Sequence, residues 1–162
     1  MRNVIVPLVR IELYTCGLVA TVRRVVSIFG NLNKNKHAYK SDWDTDFDGA
    51  CGECAAAKHY GRYWPMQVTF PGVNSTDEFK KFDIDGFQIR ATAWRDGHLI
   101  IRPNDKPGER FILALTYNLP NVTLVGSFDS IEARQDQYRY TDAQGFEYWR
   151  IAQDALHDLP PR

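Results

Sequence analysis

The sequence predicts an α+β protein, a central mixed β-sheet with helices packed on it, and three observations carry that expectation. Residues 13–29 place Leu18, Val22, Val25 and Phe29 on one helical stripe, with Val19 and Val26 alongside. Residues 87–94 alternate: Phe87, Ile89, Ala91 and Ala93 point one way, and Gln88, Arg90 and Thr92 the other. Residues 111–117, FILALTY, are almost continuously apolar, as in a strand covered on both faces.

The bulk numbers fit this class. At 162 residues the chain suits one domain, 1–162, able to bury a core without staples. Its formal net charge of zero gives no global pull toward nucleic acid or membrane, so any such binding must come from a local patch. Three cysteines, an odd number, suit a reducing compartment better than a disulfide framework. The apolar N-terminal run is broken by Arg10 and Glu12, and residues 13–22 are half a membrane span. A lipoprotein-like cleavage site before Cys16 would want small residues where Tyr14 and Thr15 stand. The expectation is a cytoplasmic protein with no membrane anchor.

The elements follow in order. The first helix, about 13–29, stops at Gly30. A lysine-rich polar stretch with Lys34, Lys36 and Lys40 reads as an exposed connector, or alternatively a phosphate-binding flap. Thr45 precedes a second helix that has Asp46 and Asp48 in its first turn and closes at Gly61. Residues 67–70 alternate, and PGVNST makes a turn. Asp96-Gly97 is a hairpin dipeptide joining strand 87–94 to strand 98–102. Strands follow at 111–117 and 123–128, then a short helix through Gln135, a strand at 146–151 and a final helical turn at 152–159.

Three chemistries are candidates. Cys51 and Cys54 have redox or zinc spacing, but they lie inside a helix, not at its start, and no second pair completes four ligands. Small side chains there, with Ala50, Ala55, Ala56 and Ala57, suit close helix packing instead. No serine sits in a Gly-x-Ser-x-Gly elbow, so a hydrolytic triad has no support. The third candidate is acidic. Asp83 and Asp85 precede Gly86, Gln88 and Arg90 share one strand face, and Glu53 projects from the second helix. Convergence would suit a hard divalent cation held by oxygen ligands. The spacing equally fits a turn followed by the wet face of a strand.

The blocks GACGECAAAKHYGRYW, FDIDGFQIRAT, HLIIRPND, FILALT, IEARQ and DALHDL resemble a family of small bacteriophage proteins, over about residues 13–159. Their layout is similar to the PD-(D/E)XK (restriction-endonuclease-like) nuclease core, here spanning about 45–151. The resemblance implies that Glu53 is the helical acid, Asp83 the hairpin aspartate, Gln88 the Glu/Gln position and Arg90 the lysine position. It implies Mg²⁺ or Mn²⁺ held by Glu53, Asp83 and Gln88 with the Ile89 carbonyl, and cleavage of DNA in an infected bacterial cytoplasm. Arg90 would contact the scissile phosphate, and Lys58, Arg95 and Arg102 the nucleic-acid backbone. Two departures stand out. Gln88 is a neutral ligand, and Arg90 never gives up its proton to serve as a general base. The resemblance therefore also admits an inactive nuclease-like module that binds nucleic acid or a host protein. In that version Tyr60, Tyr63 and Trp64 form an exposed aromatic patch, or else they fill the core.

Overall fold

The computed structural model describes residues 3–30, 41–68, 83–84 and 86–162. The described residues form an α+β fold with two long helices, one mixed sheet and one small antiparallel sheet. Helix α1 (Arg10–Phe29) starts where Glu12 turns back to accept the Val9 amide at 2.6 Å, satisfying one orphan donor of the first turn. Helix α2 (Asp42–Tyr60) begins four residues earlier than a cap at Thr45 implies. Ser41 is its cap, its hydroxyl accepting from the Asp44 amide at 3.1 Å. Gly61 ends it in the left-handed conformation, φ 60°, which glycine adopts without the Cβ penalty.

The main sheet contains β1 (Val4–Pro7), β2 (Phe87–Thr92), β4 (Arg110–Asn118) and β5 (Asn121–Asp129), in the order β1-β5-β4-β2. Strand β2 runs parallel to β4, with Ile89 opposite Ile112, and the other pairings are antiparallel. The second sheet joins β3 (Leu99–Ile101), β6 (Arg139–Thr141) and β7 (Glu147–Ile151) in the order β3-β7-β6. Strand β4 is buried on both faces, as its apolar run requires. Ile112, Ala114, Val122 and Leu124 face the helices, while Phe111, Leu113, Leu115 and Phe128 meet the second sheet. Pairing steps from Gly126 to Leu124, so Val125 is the extra residue of a bulge and joins the second core.

Glycine sets the seat of α2. A Cβ at Gly52 would stand 2.8 Å from the Ala91 Cβ, 3.2 Å from that of Ala114 and 3.3 Å from Ile89 Cγ2. The helix therefore lies directly on β2 and β4, and only the absent side chain permits it. Cys51, Cys54 and the alanines of α2 are buried as small packing groups, the two thiols meeting Cys16 of α1, and all three cysteines are free thiols.

Several expectations need correction. The stripe Leu18, Val22, Val25 and Phe29 is not the buried face of α1. Leu18 is 70% and Phe29 87% exposed, whereas Cys16, Val19, Ala20 and Arg24 face inward. Asp96-Gly97 does not close a hairpin, because β2 and β3 belong to different sheets. Residues 130–133 form a turn, not a helix, with Asp129 accepting the Ile131 amide at 2.7 Å. The final helical turn is a 3-10 turn at Gln153–Ala155. Gln67 and Val68 lie in no regular element, while residues 69–70, the PGVNST turn, the lysine-rich stretch and Asp85 fall outside the described residues. No helix among the described residues is long and apolar enough to cross a membrane.

Candidate functional site

Glu53 lies mid-way along α2, next to the glycine that presses on the sheet, and is 6% exposed. A carboxylate this deep needs partners. Arg23 reaches across from α1: its Nη1 donates to Oε1 at 2.9 Å and its Nη2 to Oε2 at 2.7 Å. The remaining Nε–H of that guanidinium goes to the Gln67 carbonyl at 2.8 Å, and the Trp64 indole adds a bond to Oε2 at 2.9 Å. Both carboxylate oxygens are thus engaged, in the bidentate geometry that makes arginine pairs strong.

Asp83 sits where the chain turns into β2. Ile84 and Phe87 pair antiparallel, exchanging backbone bonds of 3.0 and 3.3 Å, with Gly86 at φ 85° between them. The Asp83 Oδ2 then accepts the Ile89 amide at 2.7 Å. Burial pushes the Asp83 carboxyl up to about 6, the negative charge of Glu53 adds to the shift, and the Ile89 amide, Arg90 and Arg23 oppose it. Burial works against the Arg23 charge, yet the bond to Glu53, with Asp83 and Asp46 behind it, leaves its pKa raised. The two acids named from the sequence therefore feel one another, and both feel the Arg23 guanidinium that Glu53 binds.

Gln88 and Arg90 are turned away from this pair. Phe87 stacks on Tyr60, and Ile89 and Ala91 meet Gly52, so alternation along β2 carries Gln88 and Arg90 to the opposite face. There Arg90 lies over the Phe111 ring, 4.8 Å from its centroid, and bonds Asp105 Oδ1 at 2.8 Å. The other oxygen, Oδ2, accepts the Arg102 amide at 2.8 Å, and Arg134 donates to the Asp105 carbonyl. The buried Nε–H groups of Arg90 and Arg134 make no hydrogen bond among the described residues. The pKa of Arg102 is lowered, by burial first and then by the charge of Arg90. One guanidinium, that of Arg90, is thus paired with the Asp105 carboxylate, while Arg102 reaches it through its backbone amide and Arg134 holds the Asp105 carbonyl.

The remaining positions are dispersed. Lys58 is tied down, its Nζ donating to the Pro7 carbonyl and to Glu12 Oε2, both at 2.8 Å. Arg95 is exposed beyond β2, and its carbonyl accepts from Gln153 at 2.8 Å. Tyr60 is buried and Trp64 serves Glu53, so of the three aromatics only Tyr63 stands in solvent.

A divalent cation such as Mg²⁺ wants about six oxygen ligands in near-octahedral array. The residues present do not fit that demand. Both Glu53 oxygens are taken by Arg23 and Trp64, one Asp83 oxygen by Ile89, and Gln88 lies across the sheet. Among the described residues no group of three or more His, Cys, Asp or Glu side chains could hold a metal ion.

Arg23 and Trp64 are the partners that motif spacing overlooked. The visible signal was a pair of consecutive arginines inside an otherwise apolar helix. Arg24 makes a parallel link to α2, its Nη1 2.7 Å from Asp42 Oδ2. No family model matches the chain, nor does any curated protein or solved structure.

Proposed function

We propose that this chain is a nuclease-like module of PD-(D/E)XK type that binds nucleic acid without cutting it. One observation carries the reading. The guanidinium of Arg23, held in a bidentate bond by Glu53 and within the field of Asp83, supplies the positive charge that a divalent cation brings to an active nuclease. Such a guanidinium can neutralise acids, but it cannot lower the pKa of a water to make a nucleophile. Arg90 is likewise unable to act as a base, and its partner is Asp105.

Support for an anionic ligand comes from the opposite face. The Arg90 guanidinium is paired with the Asp105 carboxylate, Arg134 donates to the Asp105 backbone carbonyl, and the Arg102 and Arg90 charges oppose one another, so positive charge gathers where planar donors suit phosphate oxygens. Titrating fluorescent single- and double-stranded DNA with protein at increasing salt tests both halves. The expected result is binding whose logarithmic affinity falls linearly with log salt, weakened by Arg102→Ala. Plasmid, linear and single-stranded DNA are expected to stay intact with Mg²⁺ or Mn²⁺. Cleavage abolished by Asp83→Ala would restore the enzymatic reading, and absence of binding at low salt would remove nucleic acid as the ligand.

A further inference from the structure

Helix α1 is apolar on two faces. Cys16, Val19 and Ala20 are buried against the rest of the fold. The outer face carries Ile11, Tyr14, Leu18, Val25, Ile28 and Phe29, exposed between 39% and 87%. Positions 11, 14, 18, 25 and 28, with Thr21 between, alternate steps of three and four, the spacing of a seam that packs on another helix. With Val22, these side chains offer on the order of 800 Å² of surface, the area one partner contributes to a standard-size interface. That exceeds the largest apolar patch of an ordinary monomer.

We propose that this face binds a second copy of the chain, α1 against α1, antiparallel about a two-fold axis. The helix is its own complement in that arrangement. Aligning Arg10 of one copy with Phe29 of the other sets Ile11 opposite Ile28, Tyr14 opposite Val25 and Leu18 opposite Thr21, so that the larger side chains of the latter two pairs meet smaller ones. An isologous contact needs this kind of self-complementarity. A membrane surface suits the face less well. Interfacial helices carry basic rows on the polar side, whereas Arg23 and Arg24 are consumed by Glu53 and Asp42.

The proposal is independent of the nucleic-acid reading and has its own test. Sedimentation equilibrium of the full chain across the micromolar range is expected to give twice 18.6 kDa. Leu18→Glu and, separately, Val25→Glu are expected to weaken association at least about tenfold, because each buries a charge in the seam, with unchanged circular dichroism. Tyr63→Glu, at an exposed aromatic outside α1, is expected to leave it unchanged. Copies carrying Ile11→Cys are expected to form disulfide-linked dimers when mixed with copies carrying Ile28→Cys, and not when either is alone. A wild-type chain that stays at 18.6 kDa overturns the proposal, whether or not it floats with phosphatidylserine vesicles. A dimer that survives both glutamate variants, or cross-links among Ile11→Cys copies alone, overturns it as well.

Discussion

Arg23→Ala is expected to lower the stability of this protein by about 3–5 kcal/mol, the cost of removing one partner from a buried ion pair. The loss is large because three groups lose a bond or a neighbouring charge at once. Glu53 keeps only the Trp64 indole, the Gln67 carbonyl loses its donor, and Asp83 loses a nearby positive charge. Arg23→Lys should recover little, since an ammonium cannot grip both carboxylate oxygens and the Gln67 carbonyl together. Adding Glu53→Gln to Arg23→Ala should return part of the loss by removing the uncompensated charge. Denaturant unfolding of the two single variants and the double variant measures the coupling directly. An Arg23→Ala effect below about 1 kcal/mol, the range of an exposed pair, would show that the link is a surface contact.

Asp83→Asn is expected to do the opposite, and only at neutral and alkaline pH. The folded state holds the Asp83 proton up to about 6, against an ordinary 3.8, because burial and the neighbouring Glu53 disfavour the anion. An acid with a raised folded pKa contributes stability that is complete below its unfolded value and is lost as pH rises through its folded value. The loss here begins near 3.8 and is complete above about 6. It is on the order of 2–3 kcal/mol for a shift of this size. Asparagine is neutral throughout and can still accept the Ile89 amide. The variant should therefore match the wild type near pH 4 and exceed it near pH 8, by guanidinium unfolding at both values. A variant less stable than the wild type near pH 8 would mean that the Asp83 charge is welcome where it sits.

How far the sequence was legible depended on whether a residue's fate was decided locally. The apolar run of β4 announced a strand covered on both faces, because no neighbour was needed to read it. The alternation in β2 gave the two faces correctly, and Gly52 among alanines and cysteines marked a helix that packs closely. In α1 periodicity located a helix but chose the wrong face. A helix apolar on both sides offers two stripes, and only its contacts decide which is covered. The arginines decide it here, because Arg23 and Arg24 follow their carboxylates inward. Asp96-Gly97 carries a strong local turn signal that pairing in separate sheets overrides. Strands β1 and β6, at four and three residues, were too short to stand out.

The candidate site divides along the same line. Glu53 and Asp83 were recognisable as acids on elements that could approach, and the structure does bring them into one electrostatic neighbourhood. Gln88 and Arg90 shared a strand face, but which face was set by how β2 docks on α2. Arg23 was invisible to motif spacing because it comes from thirty residues upstream, in a helix outside the motif.

Mn²⁺ titration by calorimetry, on the wild type and on Arg23→Ala, bears most directly on whether a guanidinium stands in for a metal ion between Glu53 and Asp83. The expected result is no saturable site in the wild type, with a site appearing in Arg23→Ala and lost again on adding Asp83→Asn. Saturable Mn²⁺ binding to the wild type, abolished by Asp83→Asn, would contradict it.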